Sequence, residues 1–138
     1  SICASSFDLT RAGTGPNSST PVAAALPGAG QRYGAGLYFS KVSSKSDTYA
    51  VKSEKTIEGK KFRLMFLCKV ALGNVHRTTG PSLEEEDVDR LIEAKGHGGR
   101  YHTIVGESLA DGGPLNFQET VVYVSEASVP SYLIVYEL

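Results

Sequence analysis

Tryptophan is absent from the chain, methionine occurs once and cysteine twice. Two cysteines, Cys3 and Cys68, are too few for a disulfide-stapled scaffold and lack zinc-ligand spacing. Cys68 sits inside an apolar run and is expected to be a buried small hydrophobe. Neither sign of charge is in excess: 14 Lys and Arg stand against 15 Asp and Glu, a net charge of -1. Nothing therefore draws the chain towards nucleic acid or an anionic membrane. Long hydrophobic runs are missing as well. The longest, "LMFLC" at 64–68, is far too short to span a bilayer, and no basic-then-apolar segment opens the sequence. These absences lead us to expect a soluble, intracellular protein of the nucleus or cytoplasm, with no nucleic-acid or membrane partner. His76, His97 and His102 follow no HExxH or comparable spacing, so no metal site is expected. No serine sits in a Gly-x-Ser-x-Gly elbow either.

What is present fits one domain over residues 1–138, with 41% hydrophobic residues to build a single core. Residues 12–34, "AGTGPNSSTPVAAALPGAGQRYG", show no helical or strand period and many breakers. They read as a long loop, of the kind that serves as a lid. "GLYFS" at 36–40 reads as a short strand and "SSKSDTYAV" at 43–51 as a helix whose serines can cap its first turn. "KFRLMFLCKVAL" at 61–72 is a strand whose apolar centre predicts burial on both faces. "PSLEEEDVDRLIEAKG" at 81–96 carries a capping box, Ser82 with Glu85, and an apolar side of Leu83, Val88, Leu91 and Ile92. Its charge run reads as a solvated face. "YHTIVG" is a strand followed by a loop, and the chain closes on strands at 115–124 and 130–138. Strands outnumber helices, which gives an α+β class with a largely antiparallel sheet.

Alternation in the strand at 115–124 puts Leu115, Phe117, Glu119, Val121 and Tyr123 on one face. Glu119 is the one charge there, and such a carboxylate is costly unless it is paired, at the rim, or kept for function. Upstream, Gly34 and Gly36 allow positive φ or a close backbone approach. Tyr38 and Tyr49 either stack on a flat ring in a shared cleft or serve as core aromatics. Ser46 either points its hydroxyl to the same place or faces solvent.

In combination these residues say more. "YGAGLYFSKVSSKSDTY", then "LCKVALGNV", then "LNFQETVVYVSEASVPSYLIVYE", in that order, resemble the catalytic domain of poly(ADP-ribose) polymerases, the diphtheria-toxin-like ADP-ribosyltransferases. More narrowly, "SFDLTRAG", "YHTIVGE" and the ending resemble the small polymerase-like domains of fungal proteins. The resemblance implies the ADP-ribosyltransferase fold, a split and mostly antiparallel β-sheet with a few short helices. It also implies NAD as substrate, with ADP-ribose transferred to a protein acceptor and nicotinamide released.

Carried over by residue, the resemblance implies that Tyr38 is the middle member of a His-Tyr-Glu triad and Glu119 the catalytic glutamate. Tyr49 would stack on nicotinamide, Ser46 would bond its carboxamide, and Gly36 and Lys45 would complete the cofactor-binding set. Residues 12–34 would form the donor-site loop, and the segment around 106–116 the loop that meets the acceptor. The family's triad opens with a histidine in a His-Gly step on an earlier strand. No such step precedes "SICASSFDLTRAG", and His97-Gly98 comes too late in the order, so an upstream segment is expected to carry it. Two alternatives remain open: an NAD glycohydrolase with water as nucleophile, and a degenerate module that binds an NAD-like ligand or a partner without turnover.

Overall fold

The computed structural model describes residues 32–138. Residues 12–31 of the lid expected at 12–34, the "SFDLTRAG" segment and Cys3 lie outside the described residues. The elements are β1 (Leu37–Phe39), α1 (Ser43–Ala50), β2 (Lys55–Ile57), β3 (Lys60–Val70), β4 (Val75–Thr78), α2 (Glu85–Leu91), β5 (Thr103–Gly106), β6 (Glu119–Val122) and β7 (Ser128–Glu137). They form two sheets, a four-stranded one in the order β1-β6-β5-β4 and a three-stranded one in the order β2-β3-β7. All pairings are antiparallel except β4 with β5. This is a split, mostly antiparallel α+β arrangement, as the resemblance implies.

The four-stranded sheet holds the core. Every residue of β5 and β6 is buried. On one face of this sheet, Tyr33, Val88, Ile92, Ile104, Leu115, Val121 and Tyr123 pack together, and α2 supplies Val88 and Ile92. Leu37 and Val122 pack on the other face, against Phe39, Cys68, Val70 and Ala127. The alternation predicted for Glu119, Val121 and Tyr123 holds, since Val121 and Tyr123 share the first cluster while Val122 joins the second. The strand itself is shorter than expected. Residues 115–118 are irregular, and Phe117 is exposed.

Several local expectations are corrected. β3 is not buried on both faces: its centre is half-buried and Leu67 is 55% exposed. Cys68 is only half-buried. The capping box does not form, because Glu84, not Ser82, caps α2 and contributes no side-chain bond. The reason is upstream pairing: the Leu83 N–H donates to the Arg32 carbonyl and Arg32 Nη1 donates to the Pro81 carbonyl, which keeps residues 81–83 out of the helix. The helix also stops early. Ile92 is extended, forms a bridge with Tyr101 and sends its side chain into the core, so a single 3-10 turn at Glu93–Lys95 follows instead of further α-helix. In α1, Val42 occupies the cap position and no serine caps the helix. Two strands were not anticipated, β2 and β4. β2 forms a hairpin with β3 through Glu58-Gly59, and β4 exists only as the parallel neighbour of β5.

Candidate active site

Glu119 opens β6 and is 8% exposed. Its register partner is Gly106, at the end of β5. A carboxylate buried this deeply needs a counter-charge. Lys45 supplies it, with Nζ donating to Glu119 Oε1. Both side chains are largely enclosed, at 15% and 10% exposure. Residues 74 apart in sequence thus join α1 to β6 at one point.

Tyrosines gather around this pair. The phenol of Tyr38 is pushed well above its ordinary value, chiefly by burial and further by the charge of Glu119. Tyr33 and Tyr49 shift upward for the same two reasons, in the same order, while Arg32 pulls both back. The carboxylate of Glu119 is therefore felt by three phenols. Tyr49 is half-buried, one helical turn after Lys45, so both project from the same side of α1. Among the described residues the Ser46 hydroxyl makes no hydrogen bond, and it is half-buried beside them.

Tyr38 is tied to its own turn. Its hydroxyl donates to the Gly34 carbonyl at 2.8 Å and accepts the Tyr33 N–H at 3.0 Å. This turn uses both glycines, each for a different reason. Gly34 has φ +73°, a left-handed conformation. Gly36 lies against β6, where a Cβ would come within 2.6 Å of Val121 Cγ1 and 2.9 Å of the Val122 carbonyl oxygen. The demand on Gly36 thus comes from strand packing.

Sequence reasoning passed over Tyr33. It is fully buried, its hydroxyl donates to the Gly80 carbonyl at 3.0 Å, and its own carbonyl accepts the Tyr123 hydroxyl at 2.5 Å. Its partners lie 47 and 90 residues away, so no local pattern points to them. A polar network under α1 also went unread. Arg63 Nη1 donates to both oxygens of Asp47, at 3.0 and 3.2 Å, and Arg63 Nε and Nη2 reach Glu54 at 3.2 and 2.9 Å. The Tyr136 hydroxyl donates to Asp47 at 2.5 Å.

The segment at 106–116 is tightly closed. The Leu109 N–H donates to the Leu115 carbonyl, and the Gly113 N–H to that of Ser108. Glu107, buried at its base, takes Arg77 Nη1 at 2.7 Å and Gln118 Nε2 at 2.8 Å, which ties the loop to the residue before Glu119. The histidines lie in other surroundings. His102 bridges Glu93 and the Asn74 N–H, His76 meets the edge of the Tyr101 ring, and His97 with Gly98 occupies an exposed turn after α2. Among the described residues, no three His, Cys, Asp or Glu side chains are placed to hold a metal ion, and no helix is long and apolar enough to cross a membrane.

A family model for the poly(ADP-ribose) polymerase catalytic domain matches residues 21–138. The chain belongs to this family. Poly(ADP-ribose) polymerase catalytic domains are ADP-ribosyltransferases that take NAD as substrate, and the match covers every residue of the Lys45–Glu119 site and its surrounding tyrosines. In this polymerase-type domain, the four-stranded sheet carries Glu119 while α1, next to the other sheet, carries Lys45, which pairs with it.

Proposed function

We propose that this domain transfers ADP-ribose from NAD to a protein side chain and releases nicotinamide, with Glu119 as the catalytic carboxylate. One observation carries the reading: a nearly buried glutamate at the start of a core strand, paired with Lys45 through one oxygen and bordered by Tyr33, Tyr38 and Tyr49. With Oε1 engaged by Lys45, Oε2 is left to accept a hydrogen bond from the ribose 2′-hydroxyl.

The chemistry asks for such a group. As the nicotinamide–ribose C–N bond breaks, its electron pair leaves with nicotinamide and positive charge builds at the anomeric carbon. A fixed carboxylate in a site sheltered from water stabilises that charge strongly. The acceptor's nucleophilic atom then bonds to the anomeric carbon, and its proton passes to Glu119 or to solvent through it. In this reading Tyr49 stacks on nicotinamide, Tyr38 forms the facing wall, and Ser46 bonds the carboxamide. Gly36 keeps the turn close to the sheet, and Lys45 fixes the carboxylate. The segment at 106–116, tied to Gln118 through Glu107, borders the side from which the acceptor arrives.

The test incubates the chain with NAD and a protein acceptor and follows nicotinamide release and label transfer in the parent and in Glu119→Gln. The variant should lose about 10²- to 10³-fold in both, the usual effect of removing one group that stabilises transition-state charge. Equal release by the two proteins would overturn the assignment of Glu119. Release without transfer would identify water as the nucleophile, and binding without release would identify a ligand-binding module.

A further inference from the structure

Helix α1 carries Lys45, Ser46 and Tyr49, yet it has almost nothing apolar to orient it. Its sequence is SSKSDTYA, and Ala50 is its only buried residue. A surface helix normally finds its rotation by burying an apolar stripe, and this one has none. Its rotation matters, because about 100° separates successive side chains and a modest turn of the helix would carry Lys45 away from Glu119.

Asp47 provides the missing constraint. Its carboxylate takes two bonds from Arg63 on β3 and one from Tyr136 on β7. Arg63 and Tyr136 are register partners across those strands, so they present adjacent donors on one face of the sheet. Arg63 is itself held from the other side by Glu54, which leaves its Nη1 directed at the helix. Three charge-assisted bonds converging on one side chain fix both the position and the rotation of the helix that bears it.

We infer that Asp47, through Arg63 and Tyr136, is a positioning residue of the NAD site: it sets the rotation of α1 and so brings Lys45 to Glu119 and Tyr49 and Ser46 to the nicotinamide. The inference rests on the proposed function for its ligand, but the placement of Lys45 can be read without any ligand. Asp47 touches no reacting atom in this arrangement. Its effect falls on binding and on alignment, which are sensitive to small misplacements.

The experiment compares the parent with Asp47→Asn, Tyr136→Phe and Val70→Ala. Val70→Ala weakens packing on β3 without touching the clamp and reports the effect of general destabilisation. Two quantities are measured: the Kd for nicotinamide by calorimetry, and the rate at which a small amine-acylating reagent labels Lys45, followed by mass spectrometry with exposed Lys69 as internal reference. Asp47→Asn should raise the nicotinamide Kd about 10-fold and speed acylation of Lys45 several-fold relative to Lys69. Tyr136→Phe should move both in the same direction by less, and it keeps the test decisive if Asp47→Asn does not fold. Val70→Ala should lower Tm and move neither quantity. Unchanged Lys45 acylation in both clamp variants overturns the inference, as does an equal response in Val70→Ala. If the parent fails to bind nicotinamide while Lys45 acylation still responds to the clamp variants, the proposed function falls and the clamp stands.

Discussion

The two sheets are held by different physics, and the candidate site draws on both. In the four-stranded sheet, β5 and β6 are buried along their full length and Ile104, Val121 and Val122 are wholly enclosed. In the three-stranded sheet, β7 leaves most of its side chains exposed, with Tyr132 at 68% and Ile134 at 41%. Glu119 is placed by hydrophobic burial, whereas Lys45, Ser46 and Tyr49 are placed by hydrogen bonds to charged groups. The Lys45–Glu119 bond closes the gap between a strand that cannot easily move and a helix whose position rests on three polar bonds. The strand that carries Glu119 should therefore resist disruption more than the helix that carries Lys45.

The largest expected difference between the sheets is in packing. Ile104→Ala should cost about 2–5 kcal/mol, the range for truncating an enclosed isoleucine, while Ile134→Ala on β7 should cost less than about 1 kcal/mol. Urea unfolding of the two variants measures this directly, and equal losses would remove the contrast between the sheets.

A smaller effect is expected where β1 meets β6. Gly36→Ala forces a methyl group against Val121 and the Val122 carbonyl, so it should destabilise by about 1–3 kcal/mol, as overpacking does. Thermal unfolding with and without NAD separates this packing cost from any loss of ligand binding. If Gly36→Ala keeps its stability but loses NAD binding, the glycine serves the ligand first.

The third expectation concerns acid. Hydrogen bonds from Tyr136 and Arg63 hold the Asp47 carboxyl below the ordinary carboxylate range, and Lys61 and Arg63 do the same for Glu54. Burial and the neighbouring Asp47 push Tyr136 up to about 12, so it stays a donor at any working pH. Both carboxyls bind protons less readily folded than unfolded. Their contribution is present above the ordinary carboxylate values and is lost as pH falls through the lowered ones. Between neutral pH and about pH 3 the urea midpoint should fall, and Arg63→Gln should make that fall shallower while lowering the midpoint at neutral pH. A variant that loses stability as steeply as the parent would show that the acid response arises elsewhere.

Much of this was legible in the sequence where local pattern and tertiary context agree. β1, α1 and β5 lie within the expected segments, and Glu119 stands on the predicted face with Val121 and Tyr123. The failures share a cause: long-range partners override a local signal. Ser82 and Glu85 spell a capping box, but the backbone before the helix is already committed to Arg32. Ile92 continues a helical period, yet it leaves the helix to reach the core and bridge to Tyr101. β4, with the sequence VHRT, has no strand period to read and is a strand because β5 lies beside it. Of the candidate site, motif order singled out Tyr38, Tyr49, Ser46 and Glu119, and the structure brings the Glu119 carboxylate near Tyr38 and Tyr49. Asp47 was not singled out, since its partners Arg63 and Tyr136 are brought to it only by the register of β3 with β7.

Tyr33 has a mechanical consequence. Its N–H is held by Tyr38, its carbonyl by Tyr123 and its hydroxyl by Gly80, so one residue is moored to three separate parts of the domain. A pull on the chain at Arg32 is spread at once over the turn before β1, the end of β6 and the stretch before α2. The mooring acts as a strain relief: load arriving from the N-terminal side is divided among these three anchors, so β1 does not carry it alone.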